Sequence, residues 1–319
     1  MPKLIQQEAA SSDANGDPMA GMRASPPWLA PRHFYDTLGS CLFTAITELA
    51  EYYPARLERG IYRRHAAAIA DSAGEDCTLV DLGAGDCGKA ELLLPALRPA
   101  HYVAVDIAGD FLQAALQQLQ ARHPRLQVTG LVTDFSCGLR WPSSVACRRP
   151  LFFYPGSSIG NFTPDEARTL LRSLWSLCVQ ADGGSLLVGI DLLKSSAQME
   201  AAYDDALGVT ASFNLNLLRH LNRLAGADFD VRAFRHHALF NAERQRIEMW
   251  LVARREQQVR WRGGNRRLRA GEAILTECSY KYSPEGFEAL LRESGFGVVR
   301  RWFDETRGFL VCHARSIGH

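Results

Sequence analysis

The sequence lacks any C-x-x-C pair. Its eight cysteines (41, 77, 87, 137, 147, 178, 278 and 312) show neither the paired spacing of a metal site nor the density of a disulfide framework. No metal is therefore expected, and a reducing, cytoplasmic setting is. No apolar run reaches membrane-spanning length, and the first residues carry no basic-then-apolar leader. Neither charge is in excess: 36 Lys and Arg stand against 35 Asp and Glu, a net charge of +1. No overall field draws the chain to nucleic acid or a membrane surface, and neither partner is expected. The one basic run, Arg260 to Arg269 ("RWRGGNRRLR"), lacks repeated aromatic-basic interleaving and reads as a solvated loop or hairpin. No internal repeat is present.

What is there is an ordinary globular balance, 47% hydrophobic and 22% charged over 319 residues, with room for two modest domains. Residues 1 to 25 are small, polar and proline-bearing, so a disordered tail is expected. From Phe34 to about Ala70 the spacing is helical. Then short apolar runs alternate with helical ones: strands at Leu79–Leu82, Tyr102–Asp106, Leu126–Thr133, Leu151–Tyr154 and Ser185–Leu192, and helices at Lys89–Ala96, Phe111–Arg122 and Pro164–Val179. Thr163 and Glu166 make a capping box with Pro164 at the first helical position. This alternation predicts a parallel, doubly wound α/β sheet. It breaks at residue 195, where a helical stretch, a hairpin over 231–259 and a strand at Ala273–Tyr282 intervene. A helix from Pro284 and two strands, Val298–Phe303 and Gly308–Ala314, then close the sheet as an antiparallel pair. The N-terminal helices have no place in that sheet and are expected to join the insert.

The first strand runs into Gly83-Ala84-Gly85-Asp86-Cys87-Gly88, a literal G-x-G-x-x-G. Such a turn brings backbone and helix N–H groups close to a ligand, in NAD(P)-binding folds and in S-adenosylmethionine (SAM) methyltransferases alike. Asp81, two places before the first glycine, suits the cationic amino acid end of SAM and would repel a pyrophosphate. Asp106 ends the next strand, where a carboxylate takes two ribose hydroxyls. Asp134 and Phe135 end the third, an acceptor for the adenine amine beside an aromatic wall. A terminal antiparallel pair also fits methyltransferases better than dehydrogenases. A dinucleotide oxidoreductase, a methyltransferase for another amine and a SAM-sensing module are the alternatives.

Five segments, "FYDTLGSCLFTAITELAEYYPARLE", "FFYPGSSIGNFTPDEA", "AAYDDALGVTASFNLNLLRHLNR", "RIEMWL" and "TECSYKYS", resemble the SAM-dependent L-histidine Nα-methyltransferases of ergothioneine biosynthesis, from about residue 30 onward. The resemblance implies a Rossmann-type class I methyltransferase domain (63–195 and 285–319) with a second α+β substrate-binding domain (26–62 and 196–284). It implies that Gly83 and Lys89 meet the methionyl part of SAM, the methyl donor, and that Asp106, Asp134 and Phe135 hold the adenosine; Gly85, in the same turn, is also expected to bind the cofactor. Asn161 and Tyr35 would orient the substrate α-amine, Tyr52 and Tyr203 its carboxylate, and Glu277 and Ser279 the imidazole, with Met249 lining the pocket. The implied partner is a small amino acid, the implied product the trimethyl betaine hercynine, and the enzyme is expected to be a monomer.

The chemistry stands on the residues as well. Glu277 and Ser279, two apart on a strand, share a face and can satisfy both nitrogens of an imidazole. Ile274, Thr276, Cys278, Tyr280 and Tyr282 are then expected on the opposite face. Tyr52 and Tyr53 adjoin, and the choice between them rests on the resemblance. Methyl transfer needs an unprotonated amine aligned behind the methyl, so positioning does much of the catalysis and no strong general base is required. Asp86, Cys87 and Cys278 depart from the usual family pattern. Cys87 at a helix start and the adjacent His236-His237 suggest redox or metal chemistry only weakly, since neighbours on a strand point apart.

Overall fold

Apolar runs of five to seven residues, buried along their whole length, become the central strands of a sheet covered on both faces. In the computed structural model, which describes residues 2–7, 17–136 and 138–318, the strands are β1 (Lys3–Gln6), β2 (Thr78–Leu82), β3 (His101–Asp106), β4 (Gln127–Val132), β5 (Pro150–Tyr154) and β6 (Ser185–Asp191). After a long excursion come β12 (Phe296–Phe303) and β13 (Phe309–Ser316). Their order is β1-β4-β3-β2-β5-β6-β13-β12. The first six are parallel, while β13 runs antiparallel to β6 and β12 to β13. This is the expected doubly wound α/β sheet with an antiparallel terminal pair. One face packs on helices Pro164–Gln180 and Pro284–Glu293 through Leu170, Leu174, Phe287 and Leu291. The other packs on helices Tyr53–Ala73 and Gly109–Arg122 through Ile61, Tyr62, Leu112 and Leu116.

The chain divides into two compact units: Met1–Ala9, Pro54–Leu193 and Lys281–His319 make the first, and Ala10–Tyr53 with Lys194–Tyr280 the second. In the first unit the excursion leaves and re-enters at neighbouring points. Leu192 bridges Tyr282, the Tyr282 N–H donates to the Asp191 carbonyl, and the Lys281 ammonium lies 2.9 Å from the Asp191 carboxylate.

The second unit carries a three-stranded antiparallel sheet, β11-β8-β7, from β7 (Phe234–Asn241), β8 (Arg246–Ala253) and β11 (Ala273–Tyr280), plus a hairpin of β9 (Gln257–Trp261) and β10 (Gly264–Leu268). That hairpin holds the basic run. Arg260, Arg266 and Arg267 face Asp228, Glu272 and Glu256, respectively, across 3.6, 2.9 and 2.8 Å. Helix Val209–Ala225 packs Phe213 against Phe34, ring centroids 4.5 Å apart. Asp36 caps helix Thr37–Ile46 through the Gly39 N–H and also accepts from Asn216.

Three expectations change. The first 25 residues are not a tail where they are described; residues 8–16 lie outside the described part. Lys3–Gln6 adds in parallel to β4, with Leu4 opposite Gly130. A Cβ on Gly130 would sit 2.7 Å from a Leu4 methyl, so the glycine provides the space the strand occupies. Met19, Met22 and Leu29 are buried, and Pro27 and Leu29 exchange backbone hydrogen bonds with Leu275 of β11. A few well-placed apolar anchors outweigh the polar composition. Of the N-terminal helices, Thr37–Ile46 belongs to the second unit, but Tyr53–Ala73 packs on the sheet through Leu57, Ile61, Tyr62 and Ile69. The helix read at Lys89–Ala96 is two short ones, Gly88–Glu91 and Leu94–Leu97, because Pro95 has no N–H to continue the first.

The capping box forms as read: the Glu166 N–H donates to Thr163 Oγ1, and the Thr163 N–H to the Glu166 carboxylate. Thr163→Ala is expected to lower stability by about 1 kcal/mol, read as a lower urea midpoint.

Candidate active site

In the first unit, strand order reverses between β2 and β5, and ligands bind at such a reversal, outside the carboxyl ends of the strands. Two loops open there: Gly83–Gly88 after β2 and Pro155–Asn161 after β5. Gly83 and Gly85 hold φ of +71° and +53°, which glycine adopts without a Cβ penalty. No neighbouring atom among the described residues lies within 4 Å of where a Cβ would stand on either. The turn is tied down from one side and open on the other. Its anchor is Asp106, whose Oδ2 accepts from the Gly85 N–H and Oδ1 from the Ala108 N–H, both at 2.9 Å. Burial raises the pKa of this carboxyl, and those N–H bonds oppose the rise.

Asp81 is 1% exposed. Its Oδ2 accepts from the Tyr102 hydroxyl at 2.7 Å, while its Oδ1 has no hydrogen-bond partner among the described residues. Burial lifts its pKa to about 7, against the Tyr102 hydrogen bond and the Lys89 charge. An orphaned buried oxygen beside an open glycine cradle is a place for a donor from a ligand, and a cationic ammonium fits it. Lys89 lies 3.0 Å from the Glu58 carboxylate. Asp134 accepts from the Ser136 N–H at 2.9 Å, and Phe135 sets its ring edge-on to Tyr154, 5.9 Å away. Asn161 closes a 3-10 turn, Ser158–Asn161, behind Ser157, which is left-handed at φ +58°.

In the second unit, an aromatic chain runs Tyr35–Phe43–Tyr52–Tyr203, successive ring centroids 5.9, 6.3 and 6.0 Å apart. It ends at Ser279, whose Oγ lies 2.9 Å from the Tyr203 hydroxyl. The Tyr203 carbonyl is held by His236 Nε2 at 2.8 Å, and Asn214 occupies Nδ1 at 2.8 Å. Those partners make the imidazole neutral with its proton on Nε2. Burial lowers its pKa in the same direction. Tyr52 joins the aromatic chain, whereas Tyr53 lies under Lys194, Nζ 4.5 Å from the ring centre.

Glu277, Ser279 and Met249 share a face, but the expected partition of β11 needs correcting. A β-bulge between Leu275 and Glu277 leaves Thr276 as the extra residue, with its hydroxyl on the Met249 carbonyl at 3.0 Å. Beyond the bulge the register pairs Glu277 with Met249 and Ser279 with Ile247, and before it Ile274 with Leu251. Ile274 therefore lies on the same face as Glu277, because one inserted residue inverts the alternation. Cys278 and Tyr280 pair with Glu248 and Arg246, on the other face, where Arg246 meets both Glu248 and the Tyr280 hydroxyl. Cys278 is between Glu277 and Ser279 in sequence only.

The departures in the glycine turn are local. Asp86 Oδ1 accepts from the Gly88 N–H at 2.9 Å and starts the short helix. Cys87 is buried in the sheet core, and burial pushes its thiol well above the ordinary range. Burial and a raised pKa both oppose thiolate chemistry at this position. Residues not singled out in the sequence also matter. Glu58 and Gly156 tie the two loops together, Tyr102 holds Asp81, and Thr276 makes the bulge. Glu58 stands three and four residues before Ile61 and Tyr62, on the apolar stripe of its helix, where an acid is a signal in itself.

The model of the SAM-dependent, histidine-specific methyltransferase family matches residues 15–316. The chain belongs to that family. It is 40% identical over 311 residues to histidine N-alpha-methyltransferases of Mycolicibacterium smegmatis and Mycobacterium tuberculosis, covering 96% of this chain and 95% of each relative. It is 29% identical to ergothioneine biosynthesis protein 1 of Neurospora crassa, covering 89% of this chain and 32% of that longer protein. This methyltransferase has no helix among its described residues long and apolar enough to cross a membrane.

Treatment of the folded methyltransferase with a neutral maleimide should label exposed Cys41 first and leave Cys87 unmodified until urea is added, read by peptide mass spectrometry. Labelling of native Cys87 at the rate of Cys41 would contradict its burial.

Proposed function

We propose that this enzyme transfers the methyl of SAM to the α-amino group of L-histidine, in successive rounds to hercynine, as a cytoplasmic step of ergothioneine biosynthesis. The observation that carries the substrate reading is the polar trio Tyr203, Ser279 and Glu277, arranged on the bulged strand and its aromatic neighbour. A carboxylate and a hydroxyl on one strand face present an acceptor and a donor, which match the two nitrogens of a neutral imidazole. An indole offers one donor and would leave the hydroxyl unanswered. The free thiols among the described cysteines support a reducing compartment.

In this reading the first unit holds the methyl donor and the second the amino acid. Asp81 takes the methionyl ammonium on its orphaned oxygen, Lys89 the methionyl carboxylate, and Gly83 and Gly85 let the backbone approach. Asp106 receives the ribose hydroxyls on lone pairs its two N–H partners leave over. Asp134 accepts from the adenine amine beside the Phe135 ring. SAM supplies an electrophilic methyl on a sulfonium, so the protein's task is placement rather than activation. Tyr52 and Tyr203 hold the histidine carboxylate with neutral donors. Either hydroxyl of the Tyr203–Ser279 pair can donate, so the tyrosine proton turns to the carboxylate while the serine takes over as donor. Asn161 and Tyr35 keep the amine lone pair on the line of transfer, and its proton leaves to water or through a tyrosine. Met249 lines the pocket.

Incubation with SAM and each amino acid separately, followed by mass detection, should give a trimethylated product from histidine alone. Turnover of another amine and not of histidine would replace the substrate assignment. Asn161→Ala should reduce kcat/KM for histidine by about 100-fold, the order seen when a reactant is misplaced by an ångström, with SAM affinity unchanged. Wild-type turnover by that variant would remove Asn161 from the amine.

Asp81 gives a pH signature. Its pKa is raised to about 7 by burial, and a cationic partner favours the ionised form. Affinity for S-adenosylhomocysteine should therefore rise as pH passes upward through that value. Tyr102→Phe, which removes a hydrogen bond favouring ionisation, should move the rise to higher pH. A flat calorimetric profile in both proteins would place the ligand ammonium elsewhere.

A further inference from the structure

Glu58 is wholly buried on helix Tyr53–Ala73, yet it is a carboxylate. A buried charge persists only where partners offset its desolvation, and Glu58 has three. The Tyr62 hydroxyl donates to Oε1 at 2.8 Å, the Gly156 N–H reaches both oxygens at 2.8 and 2.9 Å, and the Lys89 ammonium lies 3.0 Å from Oε2. The surroundings are cut to fit this cluster. A Cβ on Gly189 of β6 would stand 2.1 Å from Glu58 Oε1, and one on Gly156 would stand 2.7 Å from Lys89 Nζ. Glycine at both places leaves that room, and a side chain at either would require the ion pair to shift.

The two ends of the ion pair differ. The Glu58 side chain has no exposure, while that of Lys89 is 29% exposed. A second ion pair of the unit, Lys281–Asp191, has no exposure at either end. Glu58–Lys89 is thus an anchored cation with an accessible head. Through the Gly156 N–H the same carboxylate grips the start of the loop that ends at Asn161.

We infer that Glu58 is a positioning residue. It fixes the Lys89 ammonium for the methionyl carboxylate of SAM and locks that lysine to the Gly156–Asn161 loop, so that donor and amine-holding loop share one anchor. The inference rests on the reading of Lys89 as the carboxylate contact.

Calorimetric titration of wild type, Glu58→Gln, Lys89→Met and the double variant with SAM, and with decarboxylated SAM, tests it. Each single variant should weaken SAM binding by about tenfold, and the double variant should be no weaker than Lys89→Met, as for two residues acting through one contact. Decarboxylated SAM should bind all four within about twofold, since it lacks the group Lys89 receives. Glu58→Gln that binds SAM as wild type does, while Lys89→Met does not, overturns the inference alone. Equal weakening of both ligands by Glu58→Gln also overturns it, because that is general loosening. Unchanged SAM binding by Lys89→Met overturns the underlying reading instead. If Glu58→Gln does not fold, Glu58→Asp, which keeps the charge but shortens the reach, should show the same selectivity for SAM. Wild-type SAM affinity in Glu58→Asp counts against the inference.

Discussion

The reversal of strand order between β2 and β5 is the constraint from which the methyl-donor half follows. Parallel strands send their following loops to the same edge, and only at a reversal do two adjacent loops diverge enough to leave a crevice. Everything assigned to the donor sits on that edge. The glycine turn follows β2, Asp106 ends β3 and pins the turn, and the Pro155–Asn161 loop follows β5. Glu58 comes from outside the sheet and binds to both sides of the reversal at once. The site is a property of the topology, trimmed by a few side chains.

The second unit solves a different problem, that of presenting polar groups from an apolar sheet. Ile247, Met249, Leu251 and Ile274 form an oily face. Strict alternation along β11 would have turned Glu277 away from Ile274. The extra residue at Thr276 brings the glutamate and Ser279 onto that face without removing the isoleucine. Tyr203, held at its carbonyl by His236, reaches Ser279 from outside the sheet. Backbone irregularity and hydrogen-bonded supports together make two polar groups tolerable among hydrocarbon.

Much of this was legible in the chain. The alternation of short apolar and helical runs predicted the sheet and its antiparallel end, and the Thr163 capping box formed at the expected place. Asp81 gave the reason to expect a cation rather than a pyrophosphate at the turn, and the structure buries it with one oxygen unpartnered among the described residues. What escaped was set by tertiary contact. The ordered stretch from Asp17 to Leu29 is rich in proline and small residues, and that composition hides the burial of Met19 and Met22. The bulge at Thr276 has no glycine to advertise it. Glu58 was visible as an acid on an apolar stripe, but its partners Lys89 and Gly156 lie 31 and 98 positions away, beyond any local pattern.

The excursion that carries the second unit's sheet leaves β6 and returns beside it, closed by the Leu192–Tyr282 bridge and the Lys281–Asp191 pair. Such a seam behaves like the mouth of a cassette. Because the parent sheet is stitched shut across the junction, the inserted segment is free to drift in sequence without disturbing the order of the strands that frame the donor crevice. On the proposed assignment of the donor to the first unit and the amino acid to the second, substrate preference can diverge across a lineage while methyl-donor recognition is inherited intact. Separate rates of change on the two sides of residues 193 and 281 are the trace such a history would leave.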